Sequence, residues 1–410
     1  MRHVSKEIIA TKSTKLGGKK VLLGVTSSAA LYKSIDLARE LMRHGAEVHV
    51  IMSPTASKLI SPELFKWATG NDVLVELTGD IEHIALTHHD PKNTILIIAP
   101  ATANTIAKLS LGIADNALLT LALSAMGTNI PTIIVPAMHL SLWRSPQVQR
   151  AVRSLREMNV EILEPLISEN KAKYPDVTEI VEYVFRIVAS KILKGKRVLV
   201  TAGATRMYID PIRFISNPSS GKMGVAMALE AWNRGAEVTL VMAGSAQHNY
   251  TIPRGITVKT FETYDDAREI ILKEVRNVDI FIHVAAISDF APIRKFDHKV
   301  ASDKGFLLEL RPTEKILELA REGNKDAYII AFKAEWNVSK NDLVNKAASY
   351  IDKAVANAVV ANDVSKGIFG ADVTEVYLVY RSDTGLKVKE MKGNKRDVSG
   401  RILDELFRLE

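Results

Sequence analysis

Short apolar runs rich in Val and Ile alternate with longer amphipathic stretches along most of the chain. The runs at Lys20–Val25, Glu47–Met52, Thr94–Ala99, Pro131–Val135, Arg197–Thr201, Glu237–Met242, Asp279–Ala285 and Tyr328–Ala331 are continuous rather than alternating. Such runs suit strands buried on both faces of a parallel sheet. The helix-period stretches between them supply the crossovers. The pattern therefore predicts α/β architecture, doubly wound and mostly parallel.

The chain also echoes itself. Arg43–Ser53 reads RHGAEVHVIMS and Asn233–Ala243 reads NRGAEVTLVMA. Each leaves a helix, turns on a glycine and enters a strand, at a similar distance after a strand that ends in small residues. Two tandem α/β domains are expected, 1–193 and 194–410, with the seam after a helical pattern over Asp176–Leu193. Helix–glycine–strand phrases also recur in α/β proteins without duplication.

Composition narrows the chemistry. At 410 residues, two or three domains are expected. The absence of cysteine excludes disulfides, thiolate metal sites and a cysteine nucleophile. A formal net charge of +7 favours anionic partners. The basic residues are dispersed, which points to small phosphorylated ligands rather than nucleic acid. No apolar stretch is long enough for a membrane span. The basic N-terminus lacks the apolar core of a secretory signal. A cytoplasmic protein is expected.

In the first half, the run ending at Val25 enters Thr26-Ser27-Ser28 and a helix. Small hydroxyl residues at such a turn can hold a phosphate with side-chain oxygens and helix N-terminal amides. No G-x-G-x-x-G occurs here, so a mononucleotide suits the loop better than a dinucleotide. The phrase APATANTIAKLSLGIADN (Ala99–Asn116) follows a strand, placing Thr102, Asn104 and Thr105 at its carboxyl end. It resembles the flavin-binding core of the homo-oligomeric FMN-dependent cysteine decarboxylases. GVTSSAALYK (Gly24–Lys33) and PAMHLSLW (Pro136–Trp143) agree. The resemblance implies a flavodoxin-like domain with FMN held by Thr26, Ser27, Ser28, Ser53, Thr102, Asn104 and Thr105. It implies His83, in E-H-I-A-L, as the catalytic histidine, and Met138 and His139 as substrate contacts. His139 stands where the family has asparagine. The family's flap cysteine is missing, leaving Lys171, Lys173, Tyr174 or water to supply the proton.

The second half opens with TAGATRMYIDPIRFISNPSSGKMG (Thr201–Gly224). Gly221-Lys222-Met223 fails the P-loop spacing, and the glycine-rich turn instead reads as an anion cradle at a helix start. With AAISDF (Ala285–Phe290), AFKAEWN (Ala331–Asn337) and VANDVSKGIFGADVTEVYLV (Val360–Val379), the opening resembles the phosphopantothenate–cysteine ligases. That implies a Rossmann-like domain in which CTP activates a carboxylate as an acyl-cytidylate and cysteine displaces CMP. Asn217 matches the residue that holds the acyl-cytidylate, and Arg213 a phosphate contact. Asp289, Lys299, Phe332 and Lys353 match nucleotide positions, and Mg²⁺ is expected with the triphosphate.

The product of the second activity is the substrate of the first. The two resemblances together imply the bifunctional phosphopantothenoylcysteine decarboxylase/phosphopantothenate–cysteine ligase family. A homo-oligomer is expected, with trimeric decarboxylase contacts and dimeric ligase contacts, acting on small molecules without nucleic acid or membrane. The rivals are a ligase fused to a regulatory, non-decarboxylating flavoprotein, and a different flavin or nicotinamide oxidoreductase. The ligase motifs argue against the second.

Overall fold

Each of the eight apolar runs forms a strand, and each lies in a mainly parallel sheet. The computed structural model describes residues 3–303, 305–366 and 370–408. The chain divides into two compact units, Met1–Val188 and Ala189–Glu410.

The strands of the first unit are β1 (Lys20–Val25), β2 (Glu47–Met52), β3 (Thr94–Ala101), β4 (Thr132–Pro136), β5 (Met138–His139), β6 (Glu161–Ile162), β7 (Leu166–Ser168) and β8 (Lys171–Lys173). Its main sheet runs β2-β1-β3-β4-β6, all parallel. That is the flavodoxin-like order. Along β1, Val21, Leu23 and Val25 enter one core cluster while Leu22 enters the other. Both faces are thus dry, which is why the run is continuous. The helices used below are α1 (Lys33–Arg43), α2 (Glu82–His88), α3 (Ala103–Ser110), α4 (Ala117–Gly127) and α5 (Val177–Val188). In α1 the buried residues Ser34, Leu37, Ala38, Leu41 and Met42 form one stripe at helical spacing. A separate antiparallel sheet, β5-β8-β7, stands beside the end of β4.

The second unit contains β9 (Arg197–Ala202), β10 (Glu237–Ala243), β11 (Thr257–Phe261), β12 (Ile280–His283), β13 (Tyr328–Glu335), β14 (Ala358–Asp363), β15 (Val373–Ser382) and β16 (Gly385–Asn394). They are ordered β11-β10-β9-β12-β13-β14-β15-β16. The first six are parallel in the doubly wound 3-2-1-4-5-6 order, and an antiparallel hairpin closes the edge. Helices α6 (Lys222–Asn233) and α7 (Lys395–Phe407) pack against each other. Helix α6 sits so close to β9 that a Cβ on Gly224 would lie 2.6 Å from both Thr201 O and Ala202 Cβ. Only glycine fits there. Among the described residues no helix is long and apolar enough to cross a membrane.

Candidate active sites

In the first unit, a cavity of about 940 Å³ opens where β1, β3 and β4 end, lined by Ser27, Ser28, Thr102 and Ala137 from the residues that follow them. Ser53, Asn104, Thr105, Met138 and His139 also line it. Several hydroxyls are committed to capping. Ser53 Oγ accepts from Ala56 N at 3.3 Å, and Thr102 Oγ1 accepts from Thr105 N at 3.4 Å. These caps hold helix N-termini, with their unpaired N–H groups, at the cavity edge. Thr26 does not line it. It is buried, donates to Pro100 O at 2.8 Å and accepts from Thr102 N at 3.1 Å. It therefore ties the two loops together from beneath.

The small sheet brings the flap across the cavity. His139 of β5 is paired with Lys171 of β8, and Met138 with Ala172. Lys171, Lys173 and Tyr174 all line the cavity. Lys173 is in an ion pair with Glu169 at 3.0 Å. Tyr174 is buried, and burial raises its phenol far above the ordinary value. Lys171 stays exposed, opposite His139.

His83 is not among the lining residues. It is half-buried on α2, with Nδ1 buried and unpartnered. Its carbonyl accepts from Thr87 Oγ1 at 2.7 Å, and Thr87 Oγ1 meets Ser124 Oγ of α4 at 2.8 Å, which fixes α2 on α4. On and just before α2, Leu77, Ile81 and Ile84 are exposed apolar side chains.

In the second unit, a cavity of about 540 Å³ is lined by Asn217, Asp289 and Phe332. Gly203 and Gly221 are both in the left-handed region, at φ +89° and +79°, where a side chain would be strained. They let the β9 loop and the start of α6 approach this cavity. Asn217 Nδ2 donates to Ala286 O at 3.4 Å, a long contact that is easily redirected. Asp289 is in an ion pair with Lys315.

Arg213, Lys299 and Lys353 do not line the cavity. The Arg213 guanidinium turns inward, donating to Asp210 Oδ2 at 3.3 Å and Val300 O at 3.0 Å. Asp210 is fully buried and accepts from the N–H groups of Ile212, Arg213 and Val300. Burial alone would raise its carboxyl; these N–H groups and the Arg213 charge instead hold it below the ordinary range. The pair fixes the loop beside Lys299. The cations that do line the cavity are Lys222, Lys315, Lys333 and Lys395. Lys222 Nζ donates to Gly370 O and Asp372 Oδ1, each at 2.7 Å. Sequence signals existed for Lys222, in SSGKMG, and for Lys333, in AFKAEWN. Lys315 and Lys395 lie outside the quoted motifs. Gly367–Phe369 of the last motif lie outside the described residues. Among the described residues no group of three or more His, Cys, Asp or Glu side chains is gathered to hold a metal.

Comparison with known proteins matches both units. The Flavoprotein family model covers residues 9–189. The model described as DNA/pantothenate metabolism flavoprotein C-terminal domain covers residues 193–409. The chain is 43% identical over 410 residues to the coenzyme A biosynthesis bifunctional protein CoaBC of Thermococcus kodakarensis, covering 100% of both chains. Identity is 39% to CoaBC of Methanocaldococcus jannaschii, over 99% of this chain and 98% of that one. It is 34% to CoaBC of Bacillus subtilis, over 96% of this chain and 98% of that one. The chain belongs to the CoaBC family of bifunctional coenzyme A biosynthesis enzymes, with a flavoprotein decarboxylase unit followed by a ligase unit.

Proposed function

We propose that the second unit joins 4′-phosphopantothenate to cysteine at the expense of CTP, and that the first unit decarboxylates the phosphopantothenoylcysteine so formed to 4′-phosphopantetheine. The observation that carries this reading is the full-length family match combined with a cavity in each unit.

In the ligase step, the phosphopantothenate carboxylate attacks the α-phosphorus of CTP. A carboxyl–phosphorus bond forms and pyrophosphate leaves. The cysteine amine then attacks the acyl carbon, and CMP departs. The Asn217 amide is suited to donate to the acyl and phosphoryl oxygens as their charge develops. Lys222, Lys315, Lys333 and Lys395 supply positive charge around the triphosphate. Mg²⁺ is assigned to the triphosphate itself, since hard divalent ions of this type are commonly held by phosphates with few protein ligands.

The first cavity suits FMN. Ser27, Ser28, Ser53, Thr102, Asn104 and Thr105 would hold it. Bound FMN would supply reversible two-electron acceptor chemistry at the substrate's thiol end. His83 assists removal of the first proton, a role suited to an imidazole. Lys171 donates a proton to the enethiolate left by decarboxylation and regains one from solvent. Its place opposite His139, without the ion pair that occupies Lys173, supports it over its neighbours.

Because His83 does not line the cavity of its own chain, the enzyme works as a homo-oligomer in which a second copy brings His83 to it. The exposed apolar side chains Leu77, Ile81 and Ile84, on and just before the His83 helix, support that contact. Lys299 acts across the ligase contact in the same way. The setting is the cytoplasm. Co-expression of His83→Ala and Asn104→Ala chains tests the shared site. Recovery of decarboxylation that each variant lacks alone is expected; no recovery in the mixed oligomers would refute sharing.

A further inference from the structure

One wall of the second cavity carries a histidine that lies outside every motif used above. His283 ends β12, in register with Thr201 of β9 and Ala331 of β13. Its Nδ1 lies 3.1 Å from Thr201 Oγ1. That hydroxyl already accepts from the N–H groups of Val284 and Ala285, both at 3.0 Å. A hydroxyl has two acceptor lone pairs and one proton. With both lone pairs taken, the Thr201 proton goes to Nδ1. The proton of the neutral ring therefore sits on Nε2.

Nε2 has no partner among the described residues, and the side chain lines the cavity shared with Asn217, Asp289 and Phe332. The Phe281 ring stands 5.4 Å away, tilted by 46°, and limits how the imidazole can turn. Burial pushes the imidazole down to about 4, so it is uncharged at ordinary pH. The result is a fixed, neutral N–H donor directed at the ligand space. Such a donor discriminates by position rather than by charge, unlike the lysines around it.

We propose that His283 is a nucleotide-binding residue of the ligase site, its Nε2–H donating to an acceptor atom of bound CTP. The inference rests on the reading of this cavity as a CTP site. Asparagine at position 283 places an oxygen near the present Nδ1, keeps the Thr201 contact, and ends short of the cavity. Glutamine reaches about as far as Nε2 and can restore a donor. A residue needed only for packing would tolerate Asn and gain nothing from Gln.

The test is calorimetric titration of the full-length protein with CTP and Mg²⁺, comparing wild type, His283→Asn and His283→Gln. Loss of one neutral hydrogen bond weakens binding about threefold to tenfold in His283→Asn, while His283→Gln recovers most of it. In ¹⁵N-histidine-labelled wild type, the Nε2–H resonance shifts on saturation with CTP. This second reading needs no variant to fold. Wild-type affinity in His283→Asn, or an Nε2–H resonance unmoved by saturating CTP, overturns the inference. Failure of the wild type to bind CTP overturns the nucleotide reading itself, and is distinguished before any variant is compared.

Discussion

Glu230 is a charged residue buried inside α6, and its replacement by alanine should be among the most destabilising single changes in the second unit. Its side chain is 5% exposed and forms ion pairs with Arg234, one turn on, and with Arg396 of α7. Arg234 is also buried; it reaches Asp404 through Nε at 2.8 Å and Nη2 at 2.9 Å, and Gly400 O at 3.1 Å. Breaking a buried pair by removing one partner destabilises by roughly 3–5 kcal/mol, because the remaining charge is left unmatched. Arg234 keeps Asp404, so the lower end, about 3 kcal/mol, applies. For a unit of this size each kcal/mol lowers Tm by about 2–4 °C. Glu230→Ala should therefore lower the second unit's transition by about 6–12 °C in differential scanning calorimetry. Glu230→Gln, which retains hydrogen-bond acceptors, should fall between the two. The α6–α7 contact also holds Lys222 and Lys395, one at the start of each helix, so CTP binding should weaken in parallel. A Glu230→Ala transition within 1–2 °C of wild type would refute the argument.

Gly224→Ala pushes a methyl group into the backbone of β9; about 1–3 kcal/mol of overpacking is expected, seen as a lower melting temperature and weaker CTP binding by calorimetry. Asp210→Asn removes a carboxylate whose folded-state pKa is depressed. Such a group contributes stability above its unfolded pKa near ~3.9 and loses it as pH falls through the folded value. The difference in melting temperature between wild type and Asp210→Asn should thus hold steady from about pH 8 to 5 and begin to close below about pH 4. A gap unchanged at pH 3 would contradict an ionised Asp210. Lys171→Ala should slow phosphopantetheine release from supplied phosphopantothenoylcysteine by about 10²-fold, the lower range for a lost general acid, while Lys173→Ala should change it little; equal effects in rapid-quench assays would reject Lys171 as the donor.

Much of the architecture was legible because buried parallel strands must be apolar along their whole length. All eight continuous runs are strands of the two main sheets. The hairpin β15–β16 followed a different rule. In β15, Thr374, Val376 and Leu378 are buried at alternate positions, while Val373 is exposed. That period-2 pattern marks an antiparallel edge and escapes a search for continuous runs. The helical pattern over Asp176–Leu193 also overran its element. Helix α5 stops at Val188, and Leu193 is buried in the second unit, its N–H donating to Arg234 O at 3.0 Å. Apolar spacing cannot say which core an apolar residue joins.

The sites were legible as loops rather than as side-chain directions. Motifs placed Ser27, Thr102, Asn217 and Asp289 around cavities, because the carboxyl ends of parallel strands converge there. They could not show that Thr26 and Arg213 turn inward. Those orientations depend on partners distant in sequence, Pro100 for the first and Val300 for the second. Nor could they reveal His283, whose tautomer is fixed by a threonine 82 residues away.

One chain is expected to carry both activities in sequence. The most direct measurement is mass spectrometry of products formed by the flavin-loaded, purified protein from phosphopantothenate, cysteine, CTP and Mg²⁺. The expected products are 4′-phosphopantetheine, CMP, pyrophosphate and carbon dioxide in equal amounts. Accumulation of phosphopantothenoylcysteine with no phosphopantetheine would contradict that expectation, leaving a ligase joined to a flavoprotein unit that does not decarboxylate.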